Sequence, residues 1–281
     1  MPISAAAPIL CGTDFSEAAI AAASVSAGLA QRAGTRLVLA HSLDERDEIP
    51  HHHRPALVPA LRMRLAQEAQ RVRALGVEVE ERLVDGVPNH GLVALAEECD
   101  ARLIVVASSG KGALGRWMLG SVAERVAETA KRPTLIVHEA TPFEQWLREN
   151  RPLKIFVAAD FTAHSAAALR WVAEWRQIAA CEIALGFVDL APAQDRDLER
   201  ELRADAERHL GGPPESICIQ PAETRIGAQL LKLASAASAA LIVSGTHQWQ
   251  GASRLAHTSI SRQLLRNARV NFVCVPLKTA P

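Results

Sequence analysis

The chain has 281 residues, 49% of them hydrophobic, with 31 basic residues balanced by 31 acidic ones. That length exceeds one α/β domain and predicts two domains of about 140 residues each. Balanced charge without a basic tail or stripe excludes binding dominated by counterion release from a nucleic acid. Five cysteines without a C-x-x-C pair, an N-terminus "MPISAAAPIL" without signal-peptide features, and no apolar run of roughly 18 residues point to a reduced, cytosolic protein without a membrane span.

In chain order, the first half alternates strands and helices. The strand "PILCGTD" precedes an Ala-rich helix from Ser16 to Ala33 closed by Gly34, then the strand "RLVLAHSLD". A Pro- and His-rich connection, "DEIPHHHRP", leads to a predicted helix over 57–75 ended by Gly76, and then the strand "VEVEERLV". After the turn "DGVP" come the helix "NHGLVALAEECD", the strand "RLIVVAS", the loop "GKGALGRWMLG", the helix "SVAERVAETAKR" and the strand "TLIVH". Short apolar runs alternating with helices are the pattern of a parallel sheet covered on both faces.

The second half repeats this order. Asp14 and Asp160 both end a first strand and precede a small-residue helix, at an offset of 146 that also pairs "LVLAHSLD" with "IALGFVDL". Further on, "ARLIVVAS" pairs with "AALIVSGT" and "TLIV" with "FVCV" at an offset of 138, so eight residues are missing from the second copy, between about 190 and 223. Repetition over so many elements predicts two tandem α/β domains, each a doubly wound, five-stranded, mainly parallel sheet. The expected boundaries are 1–141 and 153–281, with 142–152, flanked by Pro142 and Pro152, as a linker with room for a short helix.

The loop "ASSGKGALGRWMLGS" at 107–121 contains GKGALG, a literal G-x-G-x-x-G. A dinucleotide fingerprint belongs at the first strand-to-helix turn and needs an acidic residue some 20 positions later. This loop follows a fourth strand, and Ala130 stands where the acid would be. A P-loop is excluded because G-x-x-x-x-G-K-[ST] occurs nowhere.

A different spacing, with small Ala107, then Gly110, Gly120 and Ser121, resembles the G-x2-G-x9-G-[ST] loop of the universal stress protein family. "ILCGTDFSEAA" resembles that family's first strand and Asp-containing turn, "LVLAHSLDE" its second strand, and "LGSVAERVAETAKRPTLIV" its last helix and strand. The resemblance covers both halves. It implies a regulatory adenine-nucleotide-binding protein, with ATP, alone or with Mg2+, in the first copy: Gly12, Thr13, Asp14 and Ser42 at the base and ribose; Val106, Ala107 and Gly110 at the ribose-to-phosphate region; Gly120, Ser121 and Val122 at the phosphates. Ala107 departs from the family, adding a methyl group where backbone and ligand approach. Independently of the family, Ser121 and Glu124 have capping-box spacing, so a helix starting there would present unpaired amides and a positive dipole end to an anion. Lys111 and Arg116 could add charge, and Asp14 could alternatively be a plain helix cap.

The second copy reads "GTHQWQGASRLAHTS" at 245–259. Gly245 keeps the first position, but Gln248 and Thr258 replace the two later glycines and Arg262 stands where Glu124 did, so no ordinary ATP site is expected there despite Asp160 and Ser259. Other expectations are an internal pseudo-dimer through "TLIV" and "FVCV", with a homodimer open to the remaining faces, and no partner nucleic acid or membrane. The alternatives are a scaffold that uses no nucleotide, or a ligand- or metal-binding protein using copy two or the loop His51–His53 with Asp47, Glu48 or His41. Adjacent histidines seldom reach tetrahedral positions on one ion, which favours a plain surface loop. No Ser–His–Asp relay emerges, and ATP cleavage would need a metal-holding carboxylate near the γ-phosphate, so at most slow, incidental hydrolysis is expected.

Overall fold

The computed structural model describes residues 7–43, 54–110, 119–192, 197–246 and 260–277, and the chain divides into two units, Met1–Ala140 and Thr141–Pro281. In the first, β1 (Ile9–Gly12), β2 (Leu37–Leu43), β3 (Val79–Asp85), β4 (Leu103–Ala107) and β5 (Thr134–Val137) alternate with α1 (Glu17–Arg32), α2 (Arg54–Arg73), α3 (Pro88–Glu98) and α4 (Ser121–Thr129). The strands lie in the order β3-β2-β1-β4-β5, and every pairing among them is parallel. Leu10, Cys11, Leu37, Val38, Leu39, Ile104 and Val105 are fully buried, as strands covered on both faces require.

Local chemistry sets the helix ends. Ser16 caps α1 by accepting the Ala19 N–H, and Gly34, at φ +63°, closes it. Ala22, Ala23, Ala27 and Ala30 form its buried side, small enough to let the helix lie close to the sheet. Helix α2 starts at Arg54, ahead of the expected residue 57, and tolerates Pro59; Leu65, Ala69 and Val72, spaced four and three apart, are its core contacts. Pro88 opens α3, where a missing N–H costs nothing. Helix α1 packs with α2, and α3 with α4, covering the two faces of the sheet.

The second unit comprises α5 (Thr141–Glu149), β6 (Leu153–Ala158), α6 (Ala163–Arg176), β7 (Cys181–Asp189), α7 (Leu198–Leu210), β8 (Ser216–Pro221), α8 (Ile226–Ala236), β9 (Leu241–Thr246), α9 (Ile260–Asn267) and β10 (Asn271–Pro276). Its strand order is β10-β9-β6-β7-β8, again with parallel pairings. The tandem α/β reading therefore holds, and α3 and α8 stand at the same 138-residue offset as the sequence pairs. The shortening of the second copy lies mainly in the helix that goes from 20 residues in α2 to 13 in α7.

Most of the segment read as a linker is α5. Its Phe143 and Trp146 are fully buried, with Trp146 stacked on Trp175 at 5.1 Å and 9°, and Trp171 4.4 Å from Trp175. Side chains so placed are core of the second unit, each contributing about 1.5–3 kcal/mol or more of burial.

Candidate functional site

In the first unit the chain runs outward from β1 through β2 to β3, then returns to β4 on β1's other side and continues to β5. The crossovers diverge between β1 and β4, which leaves a crevice beyond their carboxyl ends. A cleft of about 610 Å³ lies there. It is lined by Gly12, Thr13, Asp14, Ser42, Val106, Ala107, Gly110, Gly120, Ser121 and Val122, so the residues singled out from four separate stretches converge on one space. Small-molecule sites typically measure roughly 300–1,000 Å³.

The first wall is the turn after β1. The Thr13 N–H donates to the Ala40 carbonyl at 2.8 Å, and Thr13 Oγ1 accepts the Phe15 N–H at 3.0 Å. Asp14 Oδ1 accepts the Ser16 N–H at 2.9 Å. Asp14 is therefore not the cap of α1; Ser16 is, and Asp14 forms the turn that precedes it. Phe15 sits at φ +63°, in the left-handed region that costs a bulky residue about 1–2 kcal/mol. Tertiary contacts hold it there: its ring centroid is 4.5 Å from that of His41, Arg64 Cζ lies 4.7 Å from the ring, and His41 Nδ1 donates to the Thr13 carbonyl at 2.7 Å.

The opposite wall is the glycine loop and α4. Gly110 abuts the Asp14 carboxylate: a Cβ on Gly110 would lie 2.5 Å from Asp14 Oδ2. The Gly120 N–H donates to the Ser108 carbonyl at 2.7 Å, pinning together the two ends of the loop. The capping box expected from Ser121 and Glu124 does not form. Gly120 is the N-cap, without a side-chain cap bond, and the Glu124 N–H donates to the Gly120 carbonyl, so the helix begins one residue early and Ser121 is its first helical residue. The consequence for an anion is preserved, because the amides of Ser121, Val122 and Ala123 belong to the first turn and have no intrahelical acceptor. Lys111, Gly112, Arg116, Trp117 and Met118 lie outside the described residues.

The floor is apolar. A Cβ on Gly12 would lie 2.8 Å from Leu92 Cδ1, so that glycine serves the approach of α3 to β1. Ser42 Oγ donates to the Gly86 carbonyl at 2.7 Å, tying the end of β2 to the turn before α3. Sequence reasoning missed His41, Ala19, Pro88, Leu92, Ser109, Leu119 and Ala123 as further lining residues. Pro88 and Leu92 had a usable signal, standing in the first turns of a helix that follows the turn "DGVP" at the sheet's carboxyl edge.

The second unit departs from this geometry. Gly245, at the position of Ala107, faces the backbone carbonyl of His164 on α6, and a Cβ there would run into it. Its glycine thus serves helix-on-strand packing. Ser244 and Ser261 hydroxyls donate to the Gly245 carbonyl at 3.1 and 2.7 Å. Asp160 Oδ1 accepts both the N–H and the hydroxyl of Thr162, and Phe187 stands in the place of His41, 5.4 Å from Phe161. Phe161 repeats the left-handed conformation of Phe15 at φ +60°. Gln248, Thr258, Ser259, His247 and Trp249 lie outside the described residues, as do His51–His53, Asp47 and Glu48.

Among the described residues no group of three or more His, Cys, Asp or Glu could hold a metal ion, and no helix is long and apolar enough to cross a membrane. Burial pushes the Cys11 and Cys181 thiols up to about 12, away from the thiolate that a nucleophile needs.

Comparison with known proteins gives a consistent picture. The model of the universal stress protein family matches residues 6–138 and 153–276. A universal stress protein of Methanocaldococcus jannaschii is 45% identical over 62 residues, 22% of this chain and 36% of that protein. One of Mycobacterium tuberculosis is 32% identical over 144 residues, 50% of this chain and 48% of that protein. The chain thus spans between a third and a half of the length of these two relatives. The crystal structure of a universal stress protein from Archaeoglobus fulgidus superposes with a TM-score of 0.75 at 20% identity, covering 96% of this chain and 98% of that one, which shows a shared fold.

Proposed function

We propose, for a chain that belongs to the universal stress protein family, that its first unit binds an adenine nucleotide, ATP alone or with Mg2+, and that the protein is a cytosolic regulatory component with no dedicated catalytic role. The observation that carries this reading is the convergence of ten residues from four stretches on one cleft of about 610 Å³. The cleft is polarised in a way that suits a nucleotide. Asp14 is an acceptor for ribose hydroxyls or base amino groups, while the first turn of α4 offers amides and a positive dipole end to phosphates. Gly110 and Gly120 keep side chains out of the path between those ends.

Regulation in this reading means that nucleotide in the cleft shifts the balance between states of the protein through its unequal affinity for them. The second unit is not assigned a nucleotide, because α6 closes over Gly245 and Thr162 engages the Asp160 carboxylate. Calorimetric titration with ATP and magnesium tests the reading. Saturable binding is expected, and an absence of heat up to millimolar ATP would sink it in favour of a scaffold that uses no nucleotide.

A further inference from the structure

We propose that His41 is a positioning residue for this cleft: it holds the turn after β1 so that the Asp14 carboxylate faces the ligand space. The inference rests on the nucleotide reading above and adds to it a residue that acts through another. Four observations support it. His41 Nδ1 donates to the Thr13 carbonyl, one residue before Asp14, at 2.7 Å. Because a carbonyl can only accept, the proton is on Nδ1, and the bond clamps the end of β2 to the end of β1. The same ring meets Phe15, one residue after Asp14, whose left-handed backbone needs outside support, and Arg64 lies over that Phe15 ring. Asp14 is thus held on both sides by one imidazole.

The internal repeat supplies the comparison. Phe187 replaces His41 in the second unit and keeps an aromatic contact with Phe161, but it has no donor for the strand end. There Phe161 is 37% exposed, where Phe15 is 7% exposed. Asp160 Oδ1 accepts the Thr162 N–H at 3.0 Å, as Asp14 Oδ1 accepts the Ser16 N–H at 2.9 Å, and takes the Thr162 hydroxyl besides at 2.6 Å; Asp14 stands against Gly110. Loss of the imidazole donor and exposure of the aromatic ring that follows the aspartate occur together.

The test uses His41→Phe, which keeps the ring that the second unit tolerates, and His41→Asn, whose side-chain amide can replace the Nδ1 donor. Calorimetry with ATP should show about a tenfold loss of affinity for His41→Phe, as one hydrogen bond would give, and a change within about threefold for His41→Asn. In an Asp14→Asn background His41→Phe should have no further effect. Unchanged affinity in His41→Phe, failure of His41→Asn to rescue, or equal losses with and without Asp14 would each overturn the proposal. Should the wild-type chain bind no ATP, the nucleotide reading fails, and the role of His41 is judged without ligand from the Asp14 carboxyl carbon resonance, assigned by Asp14→Asn. That resonance should move in His41→Phe and stay in His41→Asn; an unmoved signal in His41→Phe refutes the role.

Discussion

Gly110 and Asp14, 96 positions apart in sequence, meet so closely that any side chain at 110 would fall on the aspartate: a Cβ would lie 2.5 Å from Oδ2 and 3.5 Å from Cγ. The obstacle is the end of a flexible side chain, so Gly110→Ala should push the carboxylate aside at little cost in fold stability, within about 1 kcal/mol. ATP affinity should nevertheless fall by about tenfold or more. Titration calorimetry beside a urea melt separates the two effects, and equal affinity in the variant would remove Asp14 and Gly110 from the binding site.

Gly120→Gln should abolish ATP binding, because a Cβ there already stands 3.3 Å from the Ser108 carbonyl, and the longer side chain must then project from the first turn of α4. Thr258→Gln, at the matching position of the second copy, should leave binding unchanged. Equal losses in the two variants would show that the active unit has been misassigned.

Gly245→Ala tests why the second unit keeps its glycine. A methyl group would collide with the backbone of His164, which cannot rotate away, so overpacking should cost about 1–3 kcal/mol. ATP affinity, carried by the first unit, should not change. Chemical denaturation reads the first expectation and calorimetry the second; a stability equal to wild type would mean that α6 lies further from β9.

His138 predicts an acid limb of stability. Burial pushes its imidazole down to about 4, while the unfolded chain titrates near its ordinary value of 6.5. Between those values the unfolded state binds a proton that the folded state refuses, so stability falls as pH drops from 6.5 to 4 and gains nothing from this group above 6.5. The full effect near pH 4 is at most about 3 kcal/mol. His138→Gln should flatten that limb relative to wild type in urea midpoints measured from pH 7 to pH 4.5, and parallel curves would exclude His138 as the cause.

The architecture was readable because its signals are local: period, strand composition and glycine punctuation located the strands, and the two offsets exposed the repeat. The cleft residues were readable from motif spacing, and the parallel pairing of β1 with β4, Cys11 beside Val105, then brings Gly12 against Val106. What escaped depended on contacts distant in sequence. Nothing in "GTDFS" announces that Phe15 adopts a left-handed backbone, or that Arg64 of α2 and His41 of β2 then receive its ring. The Ser121 capping box was a false local signal: Gly120, drawn to Ser108 by its own N–H, starts the helix first. Likewise Gly245 looked like a retained ligand contact and is a packing contact with α6.

The bond from the Gly120 N–H to the Ser108 carbonyl also separates two evolutionary problems. With Ser108 and Gly120 bonded to each other, strand and helix are joined as if by a tight turn, whatever sequence lies between those two residues. Doubling the length of that sequence costs only about 0.6 kcal/mol of closure entropy. Insertions or a grafted recognition peptide placed beyond Gly110 and before Gly120 should therefore leave the sheet intact, making this the position at which the unit can acquire a new partner without redesigning its core.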